Sequence, residues 1–235
     1  YDGSEFTLFS LDGDEDATKY SINCIYLTSD EKLYVGTDNY GLYMYDNGTF
    51  QRVSEMYNLG VSTINAMYED DNKNLWIAAS SGIFRLSSDG AEALADDVVS
   101  GLSVGNISGH GDYVYAIANN DILITVDPER HVSITNKSEY RVDDINSLYV
   151  DENGNRYYGS AGYSILKIGT DGKNEIINTG NLHGINKIYS DGDNIWALAD
   201  DGVGYISSKG NVTAIGGLSF NESMSDMIID FEGNY

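Results

Sequence analysis

Asn23, Asn65, Asn146 and Asn186 each follow an isoleucine that opens a short apolar run. Asp226 extends the series and Gly105 interrupts it. A primary amide donates and accepts hydrogen bonds at once. Equivalent amides can therefore tie neighbouring strands together, or form a polar collar that bonds the hydroxyls of a ligand. A second set lies between apolar runs: Tyr20, Tyr40, Tyr57, Tyr140, Arg141 and His183, accompanied by Asn39, Tyr163 and Asp200. Tyrosine rings stack on the apolar face of a sugar, while amides and the guanidinium bond its oxygens. The ligand these two sets suit is small and polar, such as an oligosaccharide.

Other chemistries find little support. There is no Gly-x-Ser-x-Gly elbow, and the single cysteine, Cys24, has no histidine partner in a recognisable arrangement. Cys24 falls within an apolar run and reads as a small core residue. His110, His131 and His183 occur in different sequence units at different positions. The stretch Asp12-Gly13-Asp14-Glu15-Asp16 has the alternating carboxylates of a calcium loop, but Ala17 stands where glycine is required and Asn23 where a bidentate glutamate is required. The turn Asp151 to Asn155 fails in the same way. No phosphate loop or dinucleotide fingerprint is present. The expectation is no catalytic residue, no metal and no cofactor.

The formal net charge is −24, which repels nucleic-acid phosphates and anionic lipid surfaces alike. Apolar runs are short and often alternate, and none has the length of a membrane span. The sequence opens at Tyr1 without a charged n-region or apolar h-region, so any signal or anchor is expected outside this stretch.

The elements that must position these residues are strands. Ile64–Glu69, Asn74–Ala79, Gly82–Leu86 and Ala91–Ala95 read as four short strands joined by polar or glycine turns, and variants of this unit recur along the chain. The aromatic near the start of each second strand falls at Tyr34, Trp76, Tyr115, Tyr157 and Trp196, in steps of 42, 39, 42 and 39. A period of about 40 residues with four strands matches a propeller blade. One such sheet cannot bury both its faces, and stacking blades side by side solves that. The expected fold is all-β, a β-propeller of four-stranded antiparallel blades. Five are complete, at about 20–60, 61–101, 102–142, 143–183 and 184–222, and all are treated as one domain. Partial blades flank them. Tyr1 to Ser10 parallels Tyr45 to Ser54, and Met224–Asp230 reads as the first strand of a sixth unit, so the chain is expected to be an excerpt of a longer array.

The unit resembles the two-component regulator propeller repeat. That pattern has an apolar first strand ending in Asp, an Asn- or Gly-bearing turn, then Leu-Trp-Ile-Gly-Thr and Gly-Leu. Asn65 to Asp70, Asn74 to Ala79 and Gly82-Ile83 follow it, as do Leu33-Tyr34-Val35-Gly36-Thr37 and Gly41-Leu42, and Asp151 to Asn155 matches the turn. The resemblance implies an extracytoplasmic, membrane-anchored sensor that precedes a kinase or cyclase output module and in gut bacteria commonly responds to carbohydrates. The third unit lacks both Trp and Gly-Thr, and Ala199-Asp200 replaces Gly-Thr in the fifth. The expected function is ligand sensing in signal transduction, with a dimer or protein partner as further contacts. A propeller lyase or hydrolase and a non-catalytic interaction scaffold are the alternatives.

Overall fold

A computed structural model describes residues 9–11, 19–94, 98–190, 194–207 and 210–215. The flanking fragments at Tyr1 to Leu8 and Met224–Asp230, the acidic stretch Asp12 to Asp16, Ala95 and Asp226 lie outside them. Five four-stranded antiparallel sheets follow one another along the chain, each with its strands in sequence order. The first contains β1 (Ser21–Leu27), β2 (Leu33–Asp38), β3 (Leu42–Asp46) and β4 (Thr49–Arg52). The second contains β5 (Ile64–Glu69), β6 (Leu75–Ala79), β7 (Gly82–Ser87) and β8 (Gly90–Ala93). The third has β9 (Val104–His110), β10 (Tyr113–Ala118), β11 (Ile122–Val126) and β12 (Val132–Asn136). The fourth has β13 (Ile145–Val150), β14 (Arg156–Ser160), β15 (Ser164–Ile168) and β16 (Asn174–Asn178). The fifth has β17 (Ile185–Ser190), β18 (Ile195–Ala199), β19 (Gly202–Ile206) and β20 (Val212–Ala214). These are blades, and the expected strands fall within two residues of the observed ones. Contacts divide the chain into two compact units, 1–107 and 108–235.

Turn chemistry sets the hairpins. Asn47 and Gly48 both have positive φ, 48° and 89°, so the β3–β4 connection takes a turn whose twist suits a two-residue hairpin. In Asp127-Pro128-Glu129-Arg130 the Arg130 N–H donates to the Asp127 carbonyl at 2.8 Å, with proline in the second position, where its fixed φ fits. One short helix, α1 (Val53–Met56), follows β4, where the sequence predicts a strand over Thr49–Val53 and then a loop. It exists because Val53 is buried with Leu59 and Val61 against the first two blades.

The second strands of the first four blades are largely buried, and Leu75 to Ala79 is buried throughout. Within the first unit, Tyr34, Leu42, Ile64, Ile77 and Phe84 form one core cluster. Within the second, Tyr157, Ile165, Ile185, Ile188 and Ala197 form another. Both clusters run from one blade into the next, as expected for sheets that cover one another's faces.

At the seams, strand-two glycines admit the next blade. A Cβ on Gly36 would lie 2.7 Å from Ile64 Cγ2 and 2.6 Å from Cys24 Sγ, and one on Gly159 would lie 2.7 Å from Ile185 Cγ2 and 2.3 Å from Ser147 Oγ. The isoleucine that opens each following inner strand is thus seated directly on a bare backbone.

Candidate functional site

The recurring asparagines sit on β-bulges. The β1–β2 register pairs Ile22 with Thr37 and Cys24 with Gly36, leaving Asn23 as the extra residue. The same shift leaves Asn65, Asn146 and Asn186 unopposed in their sheets. A bulge re-aims a side chain and releases backbone groups from the ladder. Asn23 Nδ2 donates to the Ile64 carbonyl at 3.1 Å and Asn65 Nδ2 to the Val104 carbonyl at 2.7 Å. In these two blades the amide ties one blade to the next.

In the second unit the tie persists with other donors. Asn120 Nδ2 donates to the Ile145 carbonyl at 3.0 Å and Ser147 Oγ to the Ile185 carbonyl at 3.1 Å. Asn146 and Asn186 turn instead to the loop face: Asn146 Oδ1 accepts from Asn120 Nδ2 at 3.3 Å, and Asn186 Nδ2 donates to Asp200 Oδ1 at 2.8 Å.

Loops from the ends of second and fourth strands carry the remaining candidates. In the first unit Tyr20 and Tyr40 meet edge to face with ring centroids 4.8 Å apart, and the Lys19 ammonium lies over both rings at 5.2 and 5.5 Å. Tyr57 departs from this pair. It follows α1 and lines the space between the first two blades beside Tyr34 and Met56. In the second unit Tyr140 packs half-buried against a core containing Leu166 and Ile168, so only part of its ring meets solvent. Arg141 beside it is exposed and takes a left-handed backbone, φ 58°.

The tightest convergence is in the second unit, on the β14–β15 and β18–β19 loops and the connection between the fourth and fifth blades. Tyr163 and His183 meet edge to face at 4.9 Å. His183 Nδ1 lies 3.8 Å from Asp200 Oδ2, its backbone N–H donates to Asp201 Oδ1 at 2.9 Å, and Asn186 holds the other oxygen of Asp200. Gly184 permits this, since a Cβ there would lie 2.2 Å from Asp200 Oδ2. An exposed ring, an imidazole, an amide and two carboxylates thus share one small surface. The periodicity places Asn186, while the loop partners Asp201 and Gly184 carry no signal that spacing could reveal.

On the opposite ends of the strands, turn carboxylates organise the first hairpins. Asp70, 8% exposed, accepts from the Asn74 backbone and side chain and from Trp76 Nε1 at 2.8 Å. Asp151 does the same for Asn153, Asn155 and the Tyr157 hydroxyl. Both carboxylates thus satisfy the backbone of their own turns. Among the described residues one group could bring metal-ligating atoms together: Asp127, Glu129 and His131. There Asp127 already accepts from the His131 backbone and pairs with its ring at 3.0 Å.

Burial holds the seam tyrosines protonated. The hydroxyls of Tyr26, Tyr34, Tyr115 and Tyr149 are raised above their usual value of 10.0, mainly by desolvation. Tyr157 and Tyr158 are raised furthest, by burial first and, for Tyr157, by the Asp151 carboxylate second. Above pH 10 the unfolded chain releases protons that the folded one retains. Stability present below that pH is therefore lost as pH rises, at up to about 1.4 kcal/mol per pH unit for each tyrosine. Urea midpoints measured from pH 9 to 12 should fall steeply above 10, and Tyr158→Phe should flatten part of the fall. A level profile to pH 12 would refute this account.

Residues 58–81 match the family model described as two component regulator propeller. No curated protein sequence matches the chain. Among solved structures it is similar to the extracellular domain assigned to the hybrid two component system BT4673 from B. thetaiotaomicron, with TM-score 0.74 and 21% identity over 90% of this chain and 31% of that one. It is similar also to the extracellular domain assigned to the hybrid two component system BT3049 of the same organism, with TM-score 0.74 and 18% identity over 91% and 32%. A catalytically inactive virginiamycin B lyase from Staphylococcus aureus, solved with Quinupristin, aligns with TM-score 0.66 and 13% identity over 86% and 71%. These likenesses establish the β-propeller fold, and the chain carries a two-component regulator propeller repeat. It spans about a third of the length of the two extracellular domains. Among the described residues no helix is long and apolar enough to cross a membrane.

Proposed function

We propose that this chain is a ligand-sensing propeller segment of an extracytoplasmic, membrane-anchored bacterial signalling receptor, and that it binds a small polar ligand of the oligosaccharide class on its loop face. The regulator-propeller repeat and the likeness to extracellular domains of two-component systems support the sensor role. The convergence of Tyr163, His183, Asn186 and Asp200 is the observation that carries the binding surface. Tyr163 is 52% exposed, so an apolar sugar face can stack on its ring, while the amide and carboxylates beside it offer a donor and acceptors to hydroxyls. Signalling would follow as a shift in population between two arrangements of the receptor, driven by the ligand's preference for one of them. A dimer partner or another protein on the same face is the alternative occupant. Turnover is not part of this reading, in which His183 flanks the Tyr163 ring with Asp200 Oδ2 3.8 Å from its Nδ1.

A thermal-shift screen of neutral and charged oligosaccharides tests the proposal, because a ligand that binds only the folded chain raises its melting temperature. At least one should give a saturable rise. Tyr163→Ala should weaken its binding by about tenfold, equivalent to some 1.4 kcal/mol of lost stacking. Absence of any rise across the screen, or a rise that survives both Tyr163→Ala and Asn186→Ala, would remove the oligosaccharide surface. Consumption of the sugar would replace sensing by catalysis.

A further inference from the structure

Between the fourth and fifth blades, away from the loop face, lies an open cleft of about 700 Å³. That volume is within the range of small-molecule sites. Its fourth-blade wall presents Tyr149 and Tyr157, with ring centroids 6.2 Å apart, and the carboxylates of Asp151, Glu152 and Glu175. Asn194 faces them from the fifth blade. Among the described residues that line it, the one cationic side chain is Lys167, whose ammonium lies 5.4 Å from the Tyr157 ring centroid and whose cross-strand partner is Glu175.

Among the described lining residues three carboxylates stand against one ammonium, and this excess gives the cleft a negative field. Anionic ligands are repelled. A neutral ligand would gain from the rings but nothing from the charge. Lys167 shows what the cleft stabilises: an ammonium resting on an aromatic face among carboxylates. Its long flexible stem can swing toward solvent and vacate that place. Other seams differ in the relevant respect. Between the first and second blades a cleft of about 510 Å³ occupies the equivalent position, but Lys32 and Lys73 balance Asp30 and Glu69 there, and Met44 stands where Lys167 stands. Between the third and fourth blades Arg156 already lies 4.9 Å from the Tyr115 ring centroid.

We propose that the seam between the fourth and fifth blades is a binding site for a small organic ammonium ion, seated on Tyr149 and Tyr157 and neutralised by Glu175 and Glu152. This site is separate from the loop face and does not depend on the identity of the ligand there.

The test is a titration of the whole chain with spermidine at constant ionic strength, followed by amide NMR, with glucose and galacturonate as neutral and anionic controls. Saturable shifts should centre on the amides of Tyr149, Tyr157 and Asn194, with none at Tyr34 and Met44. Glu175→Gln should weaken binding by about tenfold. Lys167→Ala should tighten it, because a built-in competitor is removed. Asp89→Asn, which removes an exposed carboxylate in the turn between β7 and β8, should leave it unchanged. The proposal is overturned if shifts spread evenly over acidic residues, if Asp89→Asn weakens binding as much as Glu175→Gln, if glucose binds as tightly as spermidine, if Lys167→Ala weakens binding, or if no saturable shift is seen. His183→Ala should not affect spermidine, so failure here and failure of the loop-face reading are told apart.

Discussion

Gly36→Ala and Gly159→Ala should each destabilise the protein by about 3 kcal/mol or more, at the upper end of overpacking penalties. Neither glycine has an unusual backbone conformation, so the cost does not come from φ. It comes from the neighbour. The added methyl carbon would stand 2.9 Å from Ile64 Cβ in one seam and 2.9 Å from Ile185 Cβ in the other, besides the shorter approaches to their Cγ2 atoms. A Cβ cannot rotate away from its own backbone, so relief requires the whole following blade to retreat, which opens voids elsewhere in a close-packed interface. Gly105→Ala is the control. That residue has nothing within 4 Å of the added carbon and should change stability by less than about 0.5 kcal/mol. Denaturant midpoints of the three variants decide the matter, and a Gly159→Ala variant as stable as Gly105→Ala would show that the seams are not close-packed there.

Asp70→Ala should cost a comparable amount, again about 3 kcal/mol, for a different reason. The carboxylate is buried and accepts from the Asn74 backbone N–H, the Asn74 amide and the Trp76 indole. Hydrogen bonds to a charged acceptor contribute about 1.5–3 kcal/mol each, and removal strands donors that water reaches poorly. Arg85 adds to the loss, because its guanidinium donates to Asn74 Oδ1 at 3.0 Å and depends on the amide that Asp70 holds. Asp151→Ala, at a more exposed turn of the same design, should cost about half as much. The Trp76 indole N–H resonance should shift upfield as its acceptor disappears. Midpoints within about 1 kcal/mol of the parent chain would refute the role of the turn.

The strands and their grouping were legible because burial on alternating faces leaves a period of two, and the blade repeat leaves an aromatic every 40 or so residues. Tyr34, Trp76, Tyr115 and Tyr157 all prove to be buried second-strand residues. The Asp that ends the first strand and the Gly of Gly-Thr were also visible as pattern, yet their causes lie in other parts of the chain: Gly36 is explained by Ile64, and Asp70 by Trp76. The bulges were not legible. Counting residues places Asn23 and Asn65 in a strand but cannot show that one residue there lacks an opposite number, and that slip decides where the amide points. The same blindness moved Tyr57 to the wrong surface, since α1 turns the chain inward only because Val53, Leu59 and Val61 find a core to enter. Repeat position alone placed His183 in a loop and Asn186 near the start of a first strand. Their meeting with Asp200 depends on Gly184, whose need for a bare Cα is invisible until Asp200 is in place.

The seam ties have a further consequence for how such a chain can change. In every seam between described blades a side chain of one blade reaches the main-chain oxygen of the residue that opens the next: Ile64, Val104, Ile145 or Ile185. The giver must be written in the sequence, and it varies among a bulge asparagine, a loop asparagine and a serine. The receiver is peptide backbone, which any residue supplies. Each module therefore greets its predecessor through an atom that mutation cannot delete. Its own side chains are free to drift so long as one hydroxyl or amide remains to reach forward. The third module, which lacks the tryptophan and glycine-threonine of its kin, keeps such a forward reach through Asn120.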